Sequence, residues 1–263
     1  MGFVAPEPGE GLTYPRAGEP LTLLEEPVVG GAPFRALSPL LEPAFAVDRL
    51  AWPGTPLVVP EGGVSVAEAW AAGVEGTDRF PVHLLAGYLS AMPAIQLALT
   101  RPDLVRSLIL LQPVVRWLEE ASIPDDDPSD LFRDVARAAE RGDIAGTRRA
   151  WLQAFSLEPD SPEGRSILEA PALPARPHAL RDALDRPPVD TRALAEVLHP
   201  VLVLSTELAP APLRRGAEWL TSHLPNVQRL ELPGAGPLVP WSEPARVTGV
   251  LFTFCLERNV PVS

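Results

Sequence analysis

The sequence predicts an α/β fold with a mostly parallel central sheet flanked by helices, and three observations predict it. Short apolar runs of strand length recur along the chain, bounded by Pro and Gly turns. Segments with helical spacing lie between them. The stretch Pro81 to Pro113, PVHLLAGYLSAMPAIQLALTRPDLVRSLILLQP, joins the two patterns in one unit: an apolar run, a small-residue turn, a helical segment with Met92, Ile95, Leu97 and Leu99, and a second apolar run. Strand, turn, helix, strand is the repeating unit of a parallel sheet.

In chain order, residues 1 to about 20 are rich in Pro, Gly and Glu and read as an arm with at most one short strand at Leu12–Tyr14. Leu21–Leu24 is the first buried strand. Phe45 begins the next, and Ser65–Ala72 has the helical period that delivers the chain to the central strand. After Leu111 the pattern turns helical: Leu131–Glu140, Ile144–Phe155, Ala179–Leu184 and Thr191–Leu198 are separated by the acidic PDDDPSD and the Pro-rich EAPALPARP. Val201–Ser205 is a buried strand, Arg214–Leu224 a helix, Val227–Leu232 the last strand and Glu243–Glu257 the last helix.

Composition narrows the function classes. The 263 residues, 46% hydrophobic, suffice for one large core. The net charge of −12 argues against nucleic acid or an anionic membrane as partner, because both need clustered positive charge. All 22 basic residues are arginine, so Schiff-base chemistry through lysine is excluded. The one cysteine, Cys255 in VLFTFCL, reads as a core residue, and no stretch is apolar for long enough to span a bilayer or serve as a signal peptide. A cytoplasmic location is the expectation. Asp125–Asp127 reads as a solvated loop, and no pair of histidines has metal-ligand spacing, so neither a metal nor a cofactor is expected.

The run VHLLAGYLSA…LALTRPDLVRSLILL resembles the nucleophile-elbow segment of α/β-hydrolase-fold proteins, gapless from Val82 to Leu111. The resemblance puts Ala86 and Ser90 on the elbow's two glycines and Tyr88 on its serine. The spacing supports that register, since residues two before and two after the apex must be small. Centring on Ser90 would put Tyr88 and Met92 at the small positions, and Ser90 therefore reads as a first-turn helix residue. PGAGPLVPWSEPARV resembles the family's histidine loop, with Pro237 at the histidine. The segment after Val201–Ser205 places Ala209 at the triad acid, and Glu25-Glu26-Pro27 stands at the oxyanion turn, where proline offers no N–H. The same resemblance implies a helical lid inserted after the sixth strand, with residues 1–113 and 199–263 as the core and 114–198 as the lid.

Serine-type acyl transfer needs a nucleophile, a histidine and an acid, and the triad-equivalent positions hold Tyr88, Pro237 and Ala209. His83, inside the central strand, reads as structural, and no histidine has a carboxylate and a hydroxyl at recognisable spacing. Three readings stay open. One is a pseudoenzyme that binds a small apolar ligand or a protein partner. A second is a cofactor-independent isomerase, cyclase or lyase using Tyr88 with Glu25, in a pocket that also includes Glu26 and Leu89. The third is an esterase-type hydrolase using Ser90. The oligomeric state is not legible.

Overall fold

The computed structural model describes residues 18–53, 65–115, 132–169 and 190–257. Six strands form one sheet among these residues: β1 (Glu19–Leu24), β2 (Phe45–Leu50), β3 (Val82–Gly87), β4 (Val105–Leu111), β5 (Val201–Thr206) and β6 (Val227–Leu232). Their order is β2-β1-β3-β4-β5-β6, and every neighbouring pair is parallel. The central strands β3 and β5 are buried along their whole length, which is why they read as continuous apolar runs without alternation.

Successive side chains on a strand point to opposite faces, and both faces are covered. On one face Leu84, Ala86, Leu108, Leu110 and Val203 pack with helices α2 (Val66–Glu75) and α3 (Ala91–Thr100). On the other, Leu23, Leu85, Ile109 and Leu204 pack with Val247, Leu251 and Phe254 of the C-terminal helix Pro244–Glu257. Helix α2 starts where its sequence says it should. Ser65 accepts from the Glu68 N–H, and the Glu68 carboxylate accepts from the Ser65 N–H, a reciprocal cap that satisfies two N–H groups.

Beyond β4 the helices α4 (Arg133–Glu140), α5 (Ile144–Ala154) and α6 (Pro162–Leu168) follow. Gly142, at φ +68°, makes the turn between α4 and α5, a conformation that costs glycine nothing. Asp143 then caps α5 by accepting from the Gly146 N–H at 2.8 Å. Among the described residues this helical segment leaves the sheet after the fourth strand. The expectation from the resemblance is an insertion after the sixth strand; the strand expected at Leu12–Tyr14, the acidic run Asp125–Asp127 and the helix at Ala179–Leu184 lie outside the described residues. Thr191–Glu196 is a 3-10 helix, and α6 was not read from the sequence because it presents only Gly164 and Ile167 to the interior. No helix among the described residues is long and apolar enough to cross a membrane.

Candidate functional site

In a parallel sheet all carboxyl ends lie on one edge, so the loops after β1, β3, β4, β5 and β6 converge there. Tyr88 follows β3 directly and sits at φ +54°, a left-handed conformation that costs a non-glycine residue about 1 kcal/mol or more. It forms the apex of a sharp strand-to-helix turn. Gly87 precedes it in extended conformation, and the 3-10 turn Tyr88–Ser90 leads into α3. A Cβ on Gly87 would stand 3.7 Å from the Leu111 carbonyl oxygen, an ordinary van der Waals contact.

The Tyr88 side chain is fully buried, and its hydroxyl donates to the Pro237 carbonyl at 3.2 Å. Its ring meets Trp151 and Phe155 of the α5 segment edge-on, with centroids 5.6 and 5.0 Å apart. Burial holds the phenol well above its ordinary pKa, and the nearby Glu26 charge pushes it the same way. Ala209, 5% exposed, lies in the loop after β5. That loop is tied to the Pro237 loop by the Leu208 N–H donating to the Ala235 carbonyl at 3.1 Å and the Gly234 N–H donating to Glu207 at 2.7 Å. Tyr88 and Pro237 are therefore in contact, with the Ala209 loop alongside.

The two glutamates separate. Glu25 is half-buried, with its carboxylate against Gly30 and Gly31, and its carbonyl accepts from the Ser90 hydroxyl at 2.8 Å. Glu26 turns inward and is 1% exposed. Its Oε2 accepts from the N–H groups of Val28 (2.6 Å) and Val29 (2.9 Å), and its Oε1 from the Trp151 indole at 3.4 Å. Burial raises its pKa to about 7 against the pull of these hydrogen bonds. The carboxylate that faces Tyr88 electrostatically is thus Glu26, where the sequence reading paired Tyr88 with Glu25. Neighbouring residues in the chain point opposite ways at this turn, and sequence alone does not say which turns in. Leu89 is 4% exposed and packs in the core, and Ser90 is fully buried at the start of α3 with its hydroxyl committed to Glu25.

At the opposite edge lies a cluster that sequence reasoning missed. His83 Nδ1 is 2.7 Å from the Ser107 hydroxyl, and Nε2 is 3.0 Å from Glu19, which also accepts from Arg106 at 2.9 Å. A carboxylate and a hydroxyl flank this histidine, although spacing along the chain gives no sign of them. They are 64 and 24 residues away in the chain, and only the β1-β3-β4 pairing brings them together. Desolvation, helped by the Arg106 charge, lowers the His83 pKa against the pull of Glu19, and a neutral ring beside a carboxylate is the tautomer that donates through Nε2 and accepts from Ser107 through Nδ1. Close by, burial pushes the Cys255 thiol up to about 12, which makes it an inert core group. His199 meets the Pro102 carbonyl at 3.1 Å, His223 stacks on Trp219, and His178 lies outside the described residues. No group of three metal-ligating side chains occurs among the described residues.

No protein-family model matches the sequence, and no curated protein matches it. Solved structures do match. The chain is 21% identical to a thermophilic esterase from Thermogutta terrifontis, with a TM-score of 0.69 over 92% of this chain and 91% of the esterase. A hydrolase from Oleispira antarctica is 14% identical, with a TM-score of 0.70 over 92% and 93%. The carboxylesterase CesB from Bacillus subtilis is 18% identical, with a TM-score of 0.67 over 93% and 86%. The all-parallel order of the strands, the left-handed apex after β3 and these likenesses agree on one architecture: the chain has the α/β-hydrolase fold.

Proposed function

We propose that this is a non-hydrolytic α/β-hydrolase-fold protein, with a degenerate triad at Tyr88, Ala209 and Pro237, that acts by binding. The observation that carries the reading is the Tyr88 hydroxyl: it stands at the elbow apex and donates to the backbone carbonyl of Pro237. At the position where a serine would need a histidine to take its proton, the hydroxyl finds a carbonyl with no basic nitrogen. The phenol itself is held far above neutral pH, which makes it a poor nucleophile. The names of the neighbours, esterase and hydrolase, favour hydrolysis by likeness of fold, and the residue types at these three positions weigh against it.

The occupant we favour is a small apolar ligand, held between the sheet edge and a helical lid formed by residues 114–198. Tyr88, Trp151 and Phe155, now packed on one another and fully buried, would have to part to form its aromatic wall. A protein partner is the alternative if no such ligand binds. The test is hydrolysis of short and medium acyl p-nitrophenyl esters by the wild-type chain, Tyr88→Phe and Ser90→Ala. The expected result is no turnover above the protein-free rate in any of them. Turnover lost in Ser90→Ala alone, or an acyl adduct seen by mass spectrometry, overturns the reading.

A second reading, acid–base catalysis without a covalent intermediate, is favoured by one observation: a buried carboxyl that titrates at about 7 beside a phenol. Its pair is Tyr88 with Glu26. Any isomerase or lyase turnover found should then disappear in both Tyr88→Phe and Glu26→Gln.

A further inference from the structure

The five-residue turn Glu26–Gly30 closes on itself. The Glu26 N–H donates to the Gly30 carbonyl at 3.2 Å and the Gly30 N–H to the Glu26 carbonyl at 2.7 Å. Pro27 has no N–H, so the turn's two remaining donors are those of Val28 and Val29, and both converge on Glu26 Oε2. The Trp151 indole brings a third donor from 125 residues away, to Oε1. Among the described residues no cation contributes to holding the charge. Two N–H groups of a tight turn are ordinarily satisfied by a Ser, Thr, Asn or Asp side chain near the surface; here the acceptor is a glutamate that is 1% exposed. A carboxylate with N–H donors on both oxygens is the arrangement of an anion in a binding site.

We propose that the Val28 and Val29 N–H groups and the Trp151 indole N–H form a carboxylate-binding site that the chain fills from within through Glu26, and that small planar monocarboxylates are the ligands it takes when that side chain is removed. The inference rests on the non-hydrolytic reading, because a turn occupied by its own carboxylate has no donor left for the oxygen of an ester. In the wild-type chain an external carboxylate competes with a tethered one at far higher effective concentration, so binding there is weak.

The experiment is calorimetric titration of Glu26→Ala with sodium formate and sodium acetate, with sodium chloride at equal ionic strength as the reference, beside the wild-type chain and Glu26→Gln. Glu26→Ala should bind one formate or acetate per chain, about tenfold or more tightly than chloride, and gain thermal stability with it. The wild-type chain and Glu26→Gln, whose side chains still fill the site, should show no saturable binding. Adding Trp151→Phe to Glu26→Ala should weaken acetate binding several-fold. If Glu26→Ala is unfolded in chloride, recovery of its far-ultraviolet circular dichroism in acetate is the readout, and no recovery at saturating acetate overturns the proposal. So does the absence of saturable binding in a folded Glu26→Ala, or equal binding by wild type. Ester turnover by the wild-type chain would overturn the non-hydrolytic reading and leave the carboxylate result to stand by itself.

Discussion

At the amino edge of the sheet Ser107, His83 and Glu19 form a hydrogen-bonded chain ending on Arg106; at the carboxyl edge Tyr88, Glu26 and Trp151 meet with no cation among the described residues. The first cluster has the residue types of a serine-type triad, and the second has the place of one. Ser107 is a strand residue, 2% exposed, and it faces Nδ1 of the histidine where the acid of a triad would stand. No left-handed apex lifts it out of the sheet. Residue identity without the strained turn gives a buried polar tie between three strands. The turn without the residues gives a phenol locked to a carbonyl. Chemistry in this fold needs both at one point.

The sharpest way to break that comparison is to truncate each edge. Tyr88→Ala removes a fully buried ring packed on two others and should cost about 3–5 kcal/mol in urea unfolding. Ser107→Ala removes one hydrogen bond and should cost about 1 kcal/mol. Equal costs would mean that Tyr88 is not the packing centre described here.

The pH dependence comes next and has opposite sign at the two edges. Glu26 is raised to about 7 in the folded chain, so the fold binds its proton more tightly than the unfolded chain does. Its contribution is present in full below about 4.5 and is lost as the pH rises through 7, a decline of about 3 kcal/mol that Glu26→Gln should abolish. His83 is lowered, so its contribution is present above its ordinary value near 6.5 and is lost as the pH falls through the folded value. Stability measured from pH 5 to 8 in Glu26→Gln should lose the decline with rising pH and keep the histidine loss on the acid side.

Smaller effects sharpen the picture. His83→Ala leaves Ser107 and Glu19 without their shared partner and should cost about 2 kcal/mol. Tyr88→Phe keeps the ring and releases only the Pro237 carbonyl, and should cost about 1 kcal/mol. A larger loss in Tyr88→Phe would give the hydroxyl a weight that packing does not explain.

Much of this was legible in the residues because it is local. The apex at Tyr88 follows from small residues at 86 and 90, and the strands Val82–Gly87 and Val201–Thr206 follow from apolar runs that any parallel sheet would bury. What was not legible depends on register or on the direction of one side chain. His83 meets Ser107 and Glu19 through cross-strand pairing, which spacing along the chain does not encode. The inward turn of Glu26 is decided by the loop closing on Gly30, at φ +59°. Trp151 was read as part of a helix, and its indole bond to Glu26 needed the helix to be placed over the sheet.

That indole bond also bears on the order in which the chain folds. Joining Trp151 to Glu26 closes a loop of 125 residues, whereas β3, the elbow and β4 are joined within about thirty. Long closures lose more chain entropy and form only when both ends are already structured. The elbow unit can assemble from its own neighbourhood, and by loop-closure entropy the helix Ile144–Ala154 is expected to dock on it afterwards, giving Glu26 its third donor only once both are in place.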